Sequence, residues 1–135
     1  EWHDRLLQAL NSPSLYDEFL AYLARRGMAV PAGALDRDFS KMRDVDPDVL
    51  VVLKEIYENR SSHWSRYETC EALMDIGNNF QFWRFHHMKT VERIIGHKRG
   101  TGGSSGVAFL KKAMDFDMFP ELLQVRTEIG PAVGD

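Results

Sequence analysis

The chain has 135 residues, 44% apolar and 27% charged, which fits one globular domain and is too short for two. Its net charge of −3 gives no basic field for nucleic acid, and no apolar run approaches the roughly 20 residues of a membrane-spanning helix. Cys70 is the only cysteine, so no internal disulfide can form; with no signal-peptide pattern, the expected location is the cytoplasm. A start at Glu1, without methionine, suggests sequence missing upstream.

The first helix is expected in "EWHDRLLQAL", where Trp2, Leu6, Leu7 and Leu10 share helical spacing. A second follows in "SPSLYDEFLAYLARRG". Ser12 or Ser14 is its N-cap, Asp17 and Glu18 sit in its first turn, and Gly27 ends it. Leu15, Phe19, Tyr22 and Leu23 form its apolar stripe. Residues 28–46 read as a long connection containing Pro31 and Gly33. "DPDVLVVLKEIYENR" restarts a helix, with Asp46 as N-cap and Pro47 at the first helical position.

From Ser62 to about His97 the pattern is helical, with one weak point at Gly77-Asn78-Asn79. One long helix or two with a kink both fit. A glycine-rich segment ends it, and Ser104 or Ser105 can cap a short helix through Val107, Phe109 and Leu110. "FPELLQVRTEI" gives a last helix. No period-2 run is long enough for a strand, so the fold class is all-α, a single unit over residues 1–135.

Two features in the second half suggest chemistry. Phe80, Trp83, His87, Val91, Ile94 and Ile95 fall on one helical face. His87 lies within that stripe, whereas His86 is rotated about 100° away. A histidine there is either a hydrogen-bonded core residue or a ligand. No second histidine or cysteine stands at zinc-ligand spacing on this face. A lone imidazole among large apolar groups suits haem better, and Arg84 and Lys98 could face propionates.

The second feature is Gly100-Thr101-Gly102-Gly103-Ser104-Ser105-Gly106. It is no P-loop, because Val107 follows where Lys-Ser/Thr is needed. Four glycines allow positive φ and close backbone approach, and free N–H groups leading into a helix favour a carboxylate or other anion. A flexible connector and a mobile lid remain open readings.

"LMDIGNNFQFWRFHHMKTVERIIGHKRGTGGSSGVAFL", followed by "FPELLQVRTEIG", resembles the tryptophan 2,3-dioxygenase family, particularly its bacterial members. "SPSLYDEFLAYLARRGMAVP" and "IYENRSSHWSRYETCEAL" resemble it as well, so the likeness covers essentially the whole chain. It implies an all-α, typically homotetrameric enzyme that uses haem b to insert O2 across the indole C2–C3 bond of L-tryptophan. The product is N-formylkynurenine, and the step opens tryptophan catabolism by the kynurenine pathway.

By the same resemblance His87 is the proximal ligand of the haem iron, with Trp83 and Arg84 on the cofactor side. His86 stands where some relatives are expected to carry arginine, and it receives no ligand role. Thr101, with Gly100 and Gly102, meets the amino acid part of the substrate. The second His87 nitrogen is expected to donate to an acceptor that fixes the tautomer. The family's N-terminal region is expected upstream of Glu1. It would bring the distal histidine, the carboxylate-binding arginine and aromatic pocket residues, leaving no catalytic residue in this portion. Without that half, stripes such as Leu15–Phe19–Leu23 are expected to be exposed. The alternatives are another haem-dependent aromatic amino acid oxygenase on the same scaffold, and a non-enzymatic helical interaction module.

Overall fold

The structure is a computed structural model that describes residues 1–96, 98 and 106–130. Among them lie seven helices and no strand: α1 Trp2–Leu10, α2 Leu15–Arg25, α3 Ala32–Leu35, α4 Pro47–Glu58, α5 Trp64–Ile95, α6 Gly106–Met114 and α7 Pro120–Glu128. The all-α expectation holds. No described helix is long and apolar enough to cross a membrane.

Local chemistry explains the helix ends. Ser14 caps α2, its side chain accepting from the Asp17 N–H while the Asp17 carboxylate accepts from the Ser14 N–H, a reciprocal capping box. Gly27 follows α2 at φ +85°, a conformation that a side chain would strain. Asp46 caps α4 through the Asp48 N–H, and Pro47 opens the helix, needing no N–H there. The connection 28–46 contains the short α3, packed on α2.

Two compact units divide the chain. One comprises Glu1–Cys70 and the segment from Pro120 onward. Its core joins Phe19, Leu20 and Leu23 of α2, Val49, Leu53 and Ile56 of α4, and Leu122 and Val125 of α7. Phe19 and Leu23, expected to be exposed, are buried, and only Leu15 of that stripe stays out. The inward face is centred on Tyr16, Phe19, Leu20 and Leu23, with the capping-box Asp17 buried beside them. Within this unit an exposed apolar stripe belongs to α1, which buries no residue.

The second unit, Glu71–Phe119, holds most of α5 together with α6. At 32 residues α5 passes Gly77-Asn78-Asn79 without a break. Phe119 lies where a Cβ on Gly77 would come within 3.5 Å of its ring, so packing supports the helix at its weakest propensity.

Candidate functional site: an uncovered histidine face

Helical spacing makes Leu73, Gly77, Gln81, Arg84, Met88, Val91 and Ile95 one stripe of α5. This is the covered one: Leu73 and Met88 are buried and the others half-buried. It is the less apolar choice. The stripe with Phe80, Trp83, His87 and Ile94 faces outward, Trp83 at 61% exposure and Ile94 at 75%. Covering a stripe that contains glycine, glutamine and arginine while leaving large apolar side chains out is the reverse of ordinary helix burial.

On this outer face the Trp83 indole and His87 imidazole lie nearly parallel, 3° between planes and 5.3 Å between centroids. Neither His87 nitrogen has a hydrogen-bond partner among the described residues, so the core-histidine reading does not describe it. The acceptor expected to orient its second nitrogen is not among those residues either. His86 stands apart, edge-on to Phe85 at 5.9 Å. Among the described residues no three His, Cys, Asp or Glu side chains gather to hold a metal ion by themselves. One imidazole with no hydrogen-bond partner among the described residues, beside a flat indole on an apolar face, is chemically able to donate a ring nitrogen to a cofactor.

Arg84, expected on the cofactor side, has one nitrogen committed elsewhere. Its Nη1 donates to the Ala113 carbonyl at 3.2 Å and the Phe116 carbonyl at 3.0 Å, with the guanidinium 5.6 Å from the Phe116 ring centre. Gln81, one turn earlier, donates its amide to the same Phe116 carbonyl at 2.9 Å. Gly100, Thr101 and Gly102 lie outside the described residues.

Sequence reasoning missed a second polar assembly, in the first unit. Asp17 is nearly buried and accepts from Arg37 through both carboxylate oxygens, at 2.8 and 2.9 Å. Arg43 approaches Asp17 at 3.7 Å and Glu121, which is 0% exposed, at 3.2 Å. Glu121 also accepts from the Asp46 N–H, tying α7 to the start of α4. Burial works against the Asp17 charge, but hydrogen bonds from Arg37 and Ser14 outweigh it and hold its pKa at about 2. Burial, with the Glu121 carboxylate next in weight, pushes the Tyr16 hydroxyl well above its ordinary value. The S-x-x-D of "SPSLYD" signals the cap, but nothing local signals that Arg43 meets a residue 78 positions away.

Fold and site together describe a helical chain that presents an exposed imidazole, stacked on an indole, on an open aromatic face. The match to known sequences is specific. The family model "Tryptophan 2,3-dioxygenase" matches residues 49–129. Tryptophan 2,3-dioxygenase of Kineococcus radiotolerans is 56% identical over 128 residues, 95% of this chain and 45% of that protein. Those of Arthrobacter sp. (strain FB24) and Serratia proteamaculans are 53% and 55% identical, each aligned over 46% of its own length and 96% and 95% of this chain. The chain belongs to the tryptophan 2,3-dioxygenase family, and it spans a little under half the length of these curated relatives.

Proposed function

We propose that this chain supplies the proximal, histidine-bearing face of a haem-dependent tryptophan 2,3-dioxygenase, which inserts both atoms of O2 into the indole C2–C3 bond of L-tryptophan to give N-formylkynurenine. The carrying observation is the outward Trp83–His87 pair, with both imidazole nitrogens unpartnered among the described residues of a chain in this family. His87 would bind the iron of haem b through one neutral nitrogen, and Trp83 would pack beside it. When bound, the haem supplies the oxygen chemistry.

The chain's own residues do the rest. Trp83 and His87 brace each other, which limits ring rotation and orients the imidazole lone pair. The apolar face excludes water from the cofactor side. Thr101 offers a hydroxyl, and Gly100 and Gly102 offer backbone N–H groups, to the ammonium and carboxylate of tryptophan; their residue types and place in the sequence support this. The remaining pocket groups would come from the N-terminal half that the relatives possess. A homotetramer in the cytoplasm is part of the same reading.

The test is haem retention in the full-length protein. His87→Ala should lose the haem and its Soret band during purification, while His86→Ala should keep near-normal content. Retention by His87→Ala with loss in His86→Ala would overturn the assignment.

A further inference from the structure

We propose that Gln81 and Arg84 are positioning residues: Arg84 caps the C-terminal end of α6, both side chains hold the Phe116 carbonyl just beyond it, and together they fix that helix against the histidine-bearing segment of α5. This rests on the proposed dioxygenase reading only for its effect on substrate.

The geometry comes from four points of contact. At one end, the start of α6 reaches the end of α5, since a Cβ on Gly106 would meet the Ile95 side chain at 3.8 Å. At the other, Gln81 and Arg84 hold the carbonyls of Ala113 and Phe116. So α6 runs back along α5 from Ile95 toward Gln81.

Apolar packing contributes little to holding α6, because Val107 is its one buried residue. Three effects instead converge on its far end. The last carbonyls of a helix lack intrahelical donors, and Ala113 is among them. The guanidinium charge complements the negative end of the helix dipole. Its position near the Phe116 ring adds a cation–π attraction.

The choice of inward face on α5 now has a reason. The stripe with Gln81 and Arg84 faces in to hold α6, and this turns Trp83 and His87, one residue and three residues from Arg84, outward. The same clamp sets where the chain re-enters helix at Gly106, immediately after the segment with Thr101. Loosening it should therefore alter tryptophan binding while sparing the iron ligand.

The experiment uses the full-length holoenzyme with Arg84→Met, Arg84→Lys, Gln81→Leu and the Arg84→Met/Gln81→Leu pair. Haem content and Soret position should match the parent in all four. The KM for tryptophan should rise about 10-fold in Arg84→Met and Gln81→Leu, with kcat changed less than about twofold. The double variant should fall short of the product of the singles, because both donors share the Phe116 carbonyl. Arg84→Lys, keeping a cationic donor, should recover most of the loss.

Amide exchange at Leu110–Met114 should quicken in Arg84→Met and Gln81→Leu, a readout that needs no tryptophan turnover. Exchange unchanged in both variants would overturn the clamp even if the protein proved to catalyse something else. Faster exchange with unaltered KM would overturn its link to substrate. Loss of haem in Arg84→Met but not Gln81→Leu would return Arg84 to the cofactor and also overturn the proposal.

Discussion

Replacing Asp17 by asparagine keeps shape and removes charge, which isolates the electrostatic part of the buried network. In the folded chain the carboxyl has a pKa of about 2 against an ordinary 3.8. At about 1.4 kcal/mol per pH unit this difference corresponds to about 2 kcal/mol. The hydrogen bonds from Arg37, at 2.8 and 2.9 Å, are the largest cause of that depression, and the asparagine amide keeps only one oxygen to accept them. The expected loss is about 2–3 kcal/mol near neutral pH.

The sign of the pH dependence follows from the depressed pKa. The contribution is complete above pH 4 and disappears as pH falls toward 2, where the parent becomes protonated too. Native-state hydrogen exchange at Leu20 and Leu23, both 0% exposed in α2, reads this locally. At pH 6 the Asp17→Asn protein should exchange at least about 30-fold faster there, the equivalent of about 2 kcal/mol. After correction for intrinsic exchange rates, the gap should narrow steadily below pH 4. Equal protection at pH 6, or a gap that persists unchanged to pH 2.5, would refute the charge argument.

Thr101→Ala in the full-length enzyme should raise the KM for tryptophan by about 10- to 150-fold, the weight of one hydrogen bond to a charged group, with haem content unchanged; steady-state kinetics with a haem assay checks both. Gly77→Ala should stabilise the second unit by about 0.5–1 kcal/mol, since alanine favours helix and its Cβ would rest 3.5 Å from Phe119 in ordinary contact; denaturant midpoints measure it. Gly27→Ala should instead destabilise by about 1 kcal/mol, because φ is +85° there although nothing lies within 4 Å; the same titration shows the opposite sign.

Much of the helical frame was legible because short-range chemistry dictates it. Ser14 with Asp17, Gly27, and Asp46 with Pro47 announce their helix ends in the sequence, and the structure uses each. The path through Gly77-Asn78-Asn79 was ambiguous because it depends on Phe119, more than 40 residues further on. Which face of α5 turns inward was left open by the sequence. Periodicity marks Phe80–Trp83–His87 as the natural core face, whereas the chain covers Gln81, Arg84 and Met88. Pattern rules assume that burial follows hydrophobicity, and they do not register the hydrogen bonds that Gln81 and Arg84 of the covered face make to Ala113 and Phe116. His87 was recognisable as a special residue from its neighbours, but its exposure was not. The Asp17–Arg37–Arg43–Glu121 assembly was invisible because its members are ordinary surface-type residues until the fold brings them together.

That assembly also constrains how descendants of this sequence can vary. Asp17 and Glu121 carry two negative charges, and Arg37 and Arg43 carry two positive ones, with Arg43 linking the carboxylates. Any single change to an uncharged residue strands a buried charge, whereas exchanging the set for well-packed apolar groups is often neutral or better. Each one-step path therefore descends before it can climb, while the exposed Trp2, Leu6 and Leu10 of α1 meet no such barrier from neighbours within the described chain. Across diverging lineages these four positions should change together or stay fixed, a correlated signature written by charge neutrality rather than by catalysis.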